Sequence, residues 1–225
     1  MQHIIQIAGI RDQQEAEMLV ACGVDWLGFP LRLAVHREDL GEAEAARIIK
    51  SLRPPHEGVL ITYLHKAGEI AALCHSLGTR KVQLHGDITR DQLRLVKTLD
   101  PGLFVIKSLV VRGNNHAELE SEVRLSGPHV DAFITDTYDP ETGACGATGK
   151  THDWKVSRRL VQISPRPVIL AGGLRAENVA RAIGEVQPAA VDAHTGVEGA
   201  DGRKDLRLVQ AFVAQARAAF ADLSS

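Results

Sequence analysis

The chain has 225 residues, 44% of them hydrophobic and 24% charged, with a formal net charge of −2 at pH 7. This balance suits one globular domain over residues 1–225 and excludes the low-hydropathy, highly charged composition of a disordered chain. So small a net charge provides no long-range basic field, which argues against nucleic acid or anionic membrane as partners and leaves a small anionic ligand to be held by a local site.

Short apolar runs alternate with longer amphipathic ones from end to end. Ile4 to Ala8 is the first strand, and Asp12 to Cys22 follows with helical spacing and Asp12 as its cap. Trp26 to Phe29 precedes the helix Glu42 to Leu52, Val59 to Thr62 precedes Glu69 to Leu77, and Lys81 to Leu84 precedes Arg90 to Leu99. The strands Phe104 to Leu109, Ala132 to Asp136, Val168 to Ala171 and Ala189 to Asp192 complete the set, with Glu177 to Ile183 a helix before the last and Leu206 to Phe220 a helix after it. Continuous Val/Ile/Leu runs mark strands covered on both faces, as in a parallel sheet. An open doubly wound sheet would show the same alternation, but Ala8-Gly9-Ile10-Arg11-Asp12 stands where its G-x-G-x-x-G would be. Eight strands, each followed by a helix, predict an α/β fold closed as a (β/α)8 TIM barrel, whose chemistry sits in the loops at the carboxyl ends of the strands.

Three cysteines, Cys22, Cys74 and Cys145, have no C-x-x-C spacing and suit free thiols in a reducing compartment. No apolar run approaches the roughly 20 residues that span a bilayer, and the start has no signal-peptide pattern, so the expected location is cytoplasmic.

Three loops carry chemistry. Ala171-Gly172-Gly173-Leu174 follows the seventh strand, where glycines let a ligand approach the backbone and a helix start offers N–H groups to phosphate. Asp192-Ala193-His194-Thr195-Gly196-Val197-Glu198 follows the eighth, and Thr195 and the Gly196 N–H add donors to the same cup. Asp136 ends the sixth strand at the barrel mouth, where a partly desolvated carboxyl can hold a proton for donation. Gly149-Lys150-Thr151 is not a nucleotide P-loop, because Ala144 occupies the position that needs glycine.

Taken together, Val82-Gln83-Leu84-His85-Gly86-Asp87, Asp136-Thr137, Gly146-Ala147-Thr148-Gly149-Lys150-Thr151-His152-Asp153-Trp154, the two glycine loops and Gly202-Arg203-Lys204-Asp205 make the chain resemble the phosphoribosylanthranilate isomerase family over nearly its full length. The resemblance implies an Amadori rearrangement of an N-phosphoribosyl amine without metal or organic cofactor. A general acid, matched here by Asp136, opens the furanose, and a general base then takes the proton from C2. It implies a small phosphorylated sugar substrate bound by Arg37, His85, Thr148, Gly149, Gly172, Gly173, His194, Thr195 and Gly196, in a monomer or homodimer. His85 is expected to shape the site by hydrogen bonding, and Lys107 either adds positive charge facing the substrate or is structural. Arg37 is expected to pair with the aryl carboxylate, with Arg32 as its rival.

The departures gather at one mouth. The family's base is a cysteine on the first strand, and here that position is Ala8; Gln6 replaces the usual lysine, and His194-Thr195 stands for two serines. A methyl group accepts no proton. His194 is a replacement base, a phosphate ligand or a structural hydrogen-bonding residue, and Cys145 is a more remote substitute for the base. Two alternatives to the isomerase stay open: a redirected barrel enzyme for another phosphorylated sugar adduct, and a non-catalytic phosphoribosyl-binding protein.

Overall fold

The computed structural model describes residues 3–33, 38–137 and 151–223. Strands and helices alternate as β1 (Ile4–Ala8), α1 (Gln13–Ala21), β2 (Trp26–Pro30), α2 (Glu42–Ser51), β3 (Glu57–Thr62), α3 (Ala67–Leu77), β4 (Lys81–Leu84) and α4 (Arg90–Leu99). They continue as β5 (Phe104–Val111), α5 (His116–Ser126), β6 (Ala132–Thr137), α6 (Trp154–Ile163), β7 (Val168–Leu170), α7 (Ala176–Val186), β8 (Ala190–Ala193) and α8 (Leu206–Asp222). Each strand pairs in parallel with the next, and β8 closes on β1 with Ile4 opposite Ala190 and Ile7 opposite Ala193. The closed (β/α)8 barrel expected from the alternation is the observed fold.

The continuous apolar strands follow from burial on both faces. Inward residues such as Ala8, Trp26, Val59, Ile61, Ile106, Ile134 and Ile169 fill the barrel, while Ile5, Ile7, Leu27, Phe29, Leu60, Val105 and Phe133 form the outer core under the helices. Local signals set the helix starts. Asp12 caps α1 by accepting from Glu15 N at 2.9 Å, and Asp205 caps α8 through Arg207 N and Leu208 N.

Strand-end expectations hold to within about two residues, with β7 ending at Leu170 and β8 displaced by one, to Ala190–Ala193. Lys107 is the clear correction to a substrate-facing role. Ile106 packs into the barrel, so alternation sends Lys107 outward, where its Nζ lies 3.8 Å from Glu122 Oε1 of α5.

On the amino-terminal face of the barrel, the Asp25 carboxylate accepts from Ile5 N and from Arg217 Nη2, each at 2.7 Å. Arg217 also donates to His3 O and Gly23 O, which ties α8 to both ends of the first βα unit. This face stabilises the fold and leaves the opposite face to chemistry. Among the described residues, no helix is long and apolar enough to cross a membrane.

Candidate active site

At the carboxyl ends of the strands a cavity of about 320 Å³ opens, floored by Ala8, Ile61, Ile134 and Ala171 and walled by Gln83, His85, Asp136, Asp192 and His194. Asp136 is buried at the end of β6, and its Oδ1 accepts from Thr137 N at 2.8 Å. Its Oδ2 lies 3.2 Å from His85 Nδ1 but out of line, and among the described residues no hydrogen bond reaches that oxygen. The carboxyl thus has one oxygen held by Thr137 N and one buried beside His85 without a hydrogen bond.

A polar layer crosses the barrel beneath it. Gln6 Nε2 donates to Gln83 Oε1 at 2.8 Å and to Asp192 Oδ1 at 2.9 Å, and Gln83 Nε2 lies 2.8 Å from His85 Nε2. With the Gln83 amide donating, the His85 proton sits on Nδ1, the side facing Asp136. Burial, with the Asp136 charge adding to it, pushes the Asp192 carboxyl up to about 7, against the partial relief of the Gln6 hydrogen bond. Between its unfolded value of 3.8 and about 7 the folded state binds the extra proton, so this group's contribution to stability falls as pH rises through that window. Asp192→Asn is therefore expected to be more stable than the parent at pH 8 by a few kcal/mol, with a smaller difference at pH 5. Urea unfolding at the two pH values measures it, and an equal difference at both would refute the assignment.

The glycine loops meet as the sequence implies. Gly172 and Gly173 have φ of +99° and +61°, and among the described residues nothing accepts a backbone hydrogen bond from either N–H. A Cβ on Gly172 would lie 2.1 Å from Thr137 Oγ1, which is itself held by His152 Nδ1 at 2.9 Å. The other nitrogen of His152 meets Ser157 Oγ, and burial pushes this imidazole down to about 4, so it is a neutral brace. A Cβ on Gly196 would lie 1.9 Å from Leu174 O, so the β7 and β8 loops touch backbone to backbone. The helix does not open directly on the glycines: Leu174 and Arg175 intervene, and Asn178 bridges back by donating to Gly173 O and accepting from Arg175 N, both at 2.9 Å. The cup is therefore built chiefly from loop backbone.

His194, Thr195 and Gly196 line the same cavity. His194 Nε2 is 3.3 Å from Glu198 Oε1, which also accepts from the buried Lys204 Nζ at 2.7 Å. Of the other expected residues, Arg37, Cys145, Thr148 and Gly149 lie outside the described residues. Arg32, the rival to Arg37, turns away from the cavity to pair with Glu42 at 2.8 Å. Sequence reading missed Arg11, which lines the cavity with its Nε 3.4 Å from Asp39; Tyr63, at the end of the third strand, also lines it, with its ring 5.6 Å from His85. Among the described residues no group of three His, Cys, Asp or Glu side chains is arranged to hold a metal.

The Asp136 carboxyl, His85 and the glycine loops converge where barrel enzymes place their chemistry, and the class the fold and cavity define is a (β/α)8-barrel enzyme. The family model for N-(5'-phosphoribosyl)anthranilate (PRA) isomerase matches residues 5–215. N-(5'-phosphoribosyl)anthranilate isomerase 2 of Methanosarcina mazei is 38% identical over 95% of this chain and 93% of its own. The PRA isomerase of Methanothrix thermoacetophila is 33% identical over 95% and 97%. Among solved structures, the PRA isomerase of Thermotoga maritima superposes with a TM-score of 0.80 at 28% identity, covering 96% of this chain and 98% of that one. A PRA isomerase in complex with reduced 1-(o-carboxyphenylamino)-1-deoxyribulose 5-phosphate gives 0.78 at 26% identity, with the same coverage. The chain belongs to the phosphoribosylanthranilate isomerase family, a family of aldose–ketose isomerases.

Proposed function

We propose that this protein catalyses the Amadori rearrangement of phosphoribosylanthranilate, with Asp136 as the general acid. The observation that carries the reading is the Asp136 carboxyl, buried at the cavity wall with one oxygen held by Thr137 N and the other beside His85 Nδ1 without a hydrogen bond among the described residues. The phosphate rests in the cup of Gly172, Gly173, Thr195 and Gly196, where the positive φ of Gly172 and Gly173 and the backbone N–H groups suit a dianion. Anchored there, the furanose presents its ring oxygen to Asp136. Proton donation to that oxygen breaks its bond to C1 as the aryl nitrogen lone pair forms the Schiff base. The electron sink is the substrate's own nitrogen, so the reaction calls for neither metal nor organic cofactor. His85, fixed by Gln83, packs beside the acid with Nδ1 3.2 Å from Oδ2. Arg37, Thr148 and Gly149 belong to the same reading as further substrate contacts.

The family match favours this reading over a redirected barrel or a binding protein. On this reading the enzyme is cytoplasmic, a monomer or homodimer, and acts on a small phosphorylated sugar. The test is turnover of freshly generated phosphoribosylanthranilate, followed by decay of its anthranilate fluorescence with coupling to the next enzyme of the pathway. Saturable turnover is expected. A folded protein that adds nothing to the uncatalysed rate overturns the proposal.

A further inference from the structure

We propose that His194, held by Glu198, is the base that removes the C2 proton in place of the side chain missing at Ala8; this deepens the isomerase reading and rests on it. Register brings the two positions together. Gln6 is opposite Asp192 and Ile7 opposite Ala193, so one further step sets His194 level with Ala8. His194 follows the last residue of β8 with φ −130° and ψ −87°, so its direction is set by the loop rather than by the strand's pleat, and it lines the cavity.

The imidazole then crosses the seam between the two strands. A Cβ on Gly9 would lie 2.2 Å from His194 Nε2, 2.8 Å from Cδ2 and 2.9 Å from Cε1, so the ring tip fills the space over the residue that follows Ala8. The small side chain at position 8 and the glycine at position 9 together make room for a ring on this side of the mouth.

The ring is also oriented. Glu198 Oε1 stands 3.3 Å from Nε2, Lys204 Nζ fixes that carboxylate at 2.7 Å, and the same ammonium donates to His194 O at 3.3 Å. A carboxylate at one ring nitrogen sets the imidazole's orientation and stabilises the imidazolium formed when it accepts a proton. Asp192 is a poorer acceptor on position, because it lies a layer deeper, level with Gln6, and is bonded to its amide. Cys22 caps the far end of α1.

The proton balance closes. The imidazole takes the proton from C2, the C2–H pair becomes the C1=C2 bond, and the C1=N pair returns to the aryl nitrogen. Ketonisation reverses the charges: the imidazolium returns a proton to C1 while the enol O–H proton passes to the Asp136 carboxylate. Both groups end as they began.

The experiment compares the parent, His194→Gln and the double variant Ala8→Cys/His194→Gln on phosphoribosylanthranilate, with and without deuterium at the ribose C2. The glutamine amide can still donate to Glu198 but accepts no proton at neutral pH. His194→Gln is expected to lose about 10²- to 10⁴-fold in kcat, with KM within threefold and a larger isotope effect. The added thiol is expected to restore at least tenfold. A His194→Gln variant within threefold of the parent kcat overturns the assignment, and so does a loss that the thiol does not restore, since that marks a structural role. An inactive parent is a different result, for it removes the isomerase reading itself.

Discussion

Asp136→Asn is expected to lower kcat by about 10²- to 10⁴-fold while KM stays within a few fold. The substitution is close to isosteric, and its carbonyl oxygen can keep the Thr137 N–H bond seen at 2.8 Å. What disappears is the transferable proton, because an amide donates a hydrogen bond without giving up the proton to an oxygen leaving C1. The packing around position 136 barely changes, so a stability loss of about 1 kcal/mol or less is expected. Steady-state kinetics with an unfolding curve separate the two effects. A variant within tenfold of the parent would remove Asp136 from the role of acid.

Gly196→Ala is expected to damage both folding and ligand binding. The new methyl would sit 1.9 Å from Leu174 O and 2.9 Å from Leu174 C, and both are backbone atoms that no rotamer change can move. Asn178 pins the β7 loop through Gly173 O and Arg175 N, so the two loops must separate. Overpacking of this kind costs about 1–3 kcal/mol. Because the spread opens the phosphate cup, KM is expected to rise tenfold or more. Gly184→Ala is the control: it lies within α7, a Cβ there meets nothing within 4 Å, and helix propensity predicts a gain of up to about 1 kcal/mol with unchanged kinetics. Equal behaviour of the two variants in urea unfolding and kinetics would disprove the backbone contact.

Much of this barrel is legible in the sequence because parallel strands buried on both faces cannot hide polar residues at random. All eight strands stand in the apolar runs, and Asp136 at the end of one of them is readable as a site residue for the same reason. The glycine loops are legible because close backbone approach and positive φ leave few other residues possible. Of the two roles left open for Lys107 the structural one holds, and the rule that decides it is simple: a strand residue beside the inward Ile106 faces outward, here toward Glu122. Arg11 gave no signal, since its place on the rim depends on the path of the chain after β1. The Gln6, Gln83 and Asp192 layer joins residues far apart in the chain, and no local pattern announces such a partnership.

That same layer carries the Gln6 to Asp192 bond, a span of 186 residues, along the seam where β8 meets β1. The proposed acid stands on β6, the proposed cup on the loops after β7 and β8, and the floor includes β1. The proposed acid, base and cup all lie between residues 136 and 196, yet the polar layer and floor beneath them take Gln6, Ala8, Gln83 and His85 from the first half of the chain. The machinery comes into existence only when the ring shuts, and it vanishes when the seam parts. Catalytic turnover thus serves as a gauge of the most non-local pairing in the molecule, and a denaturant series should extinguish it before the helical signal fades.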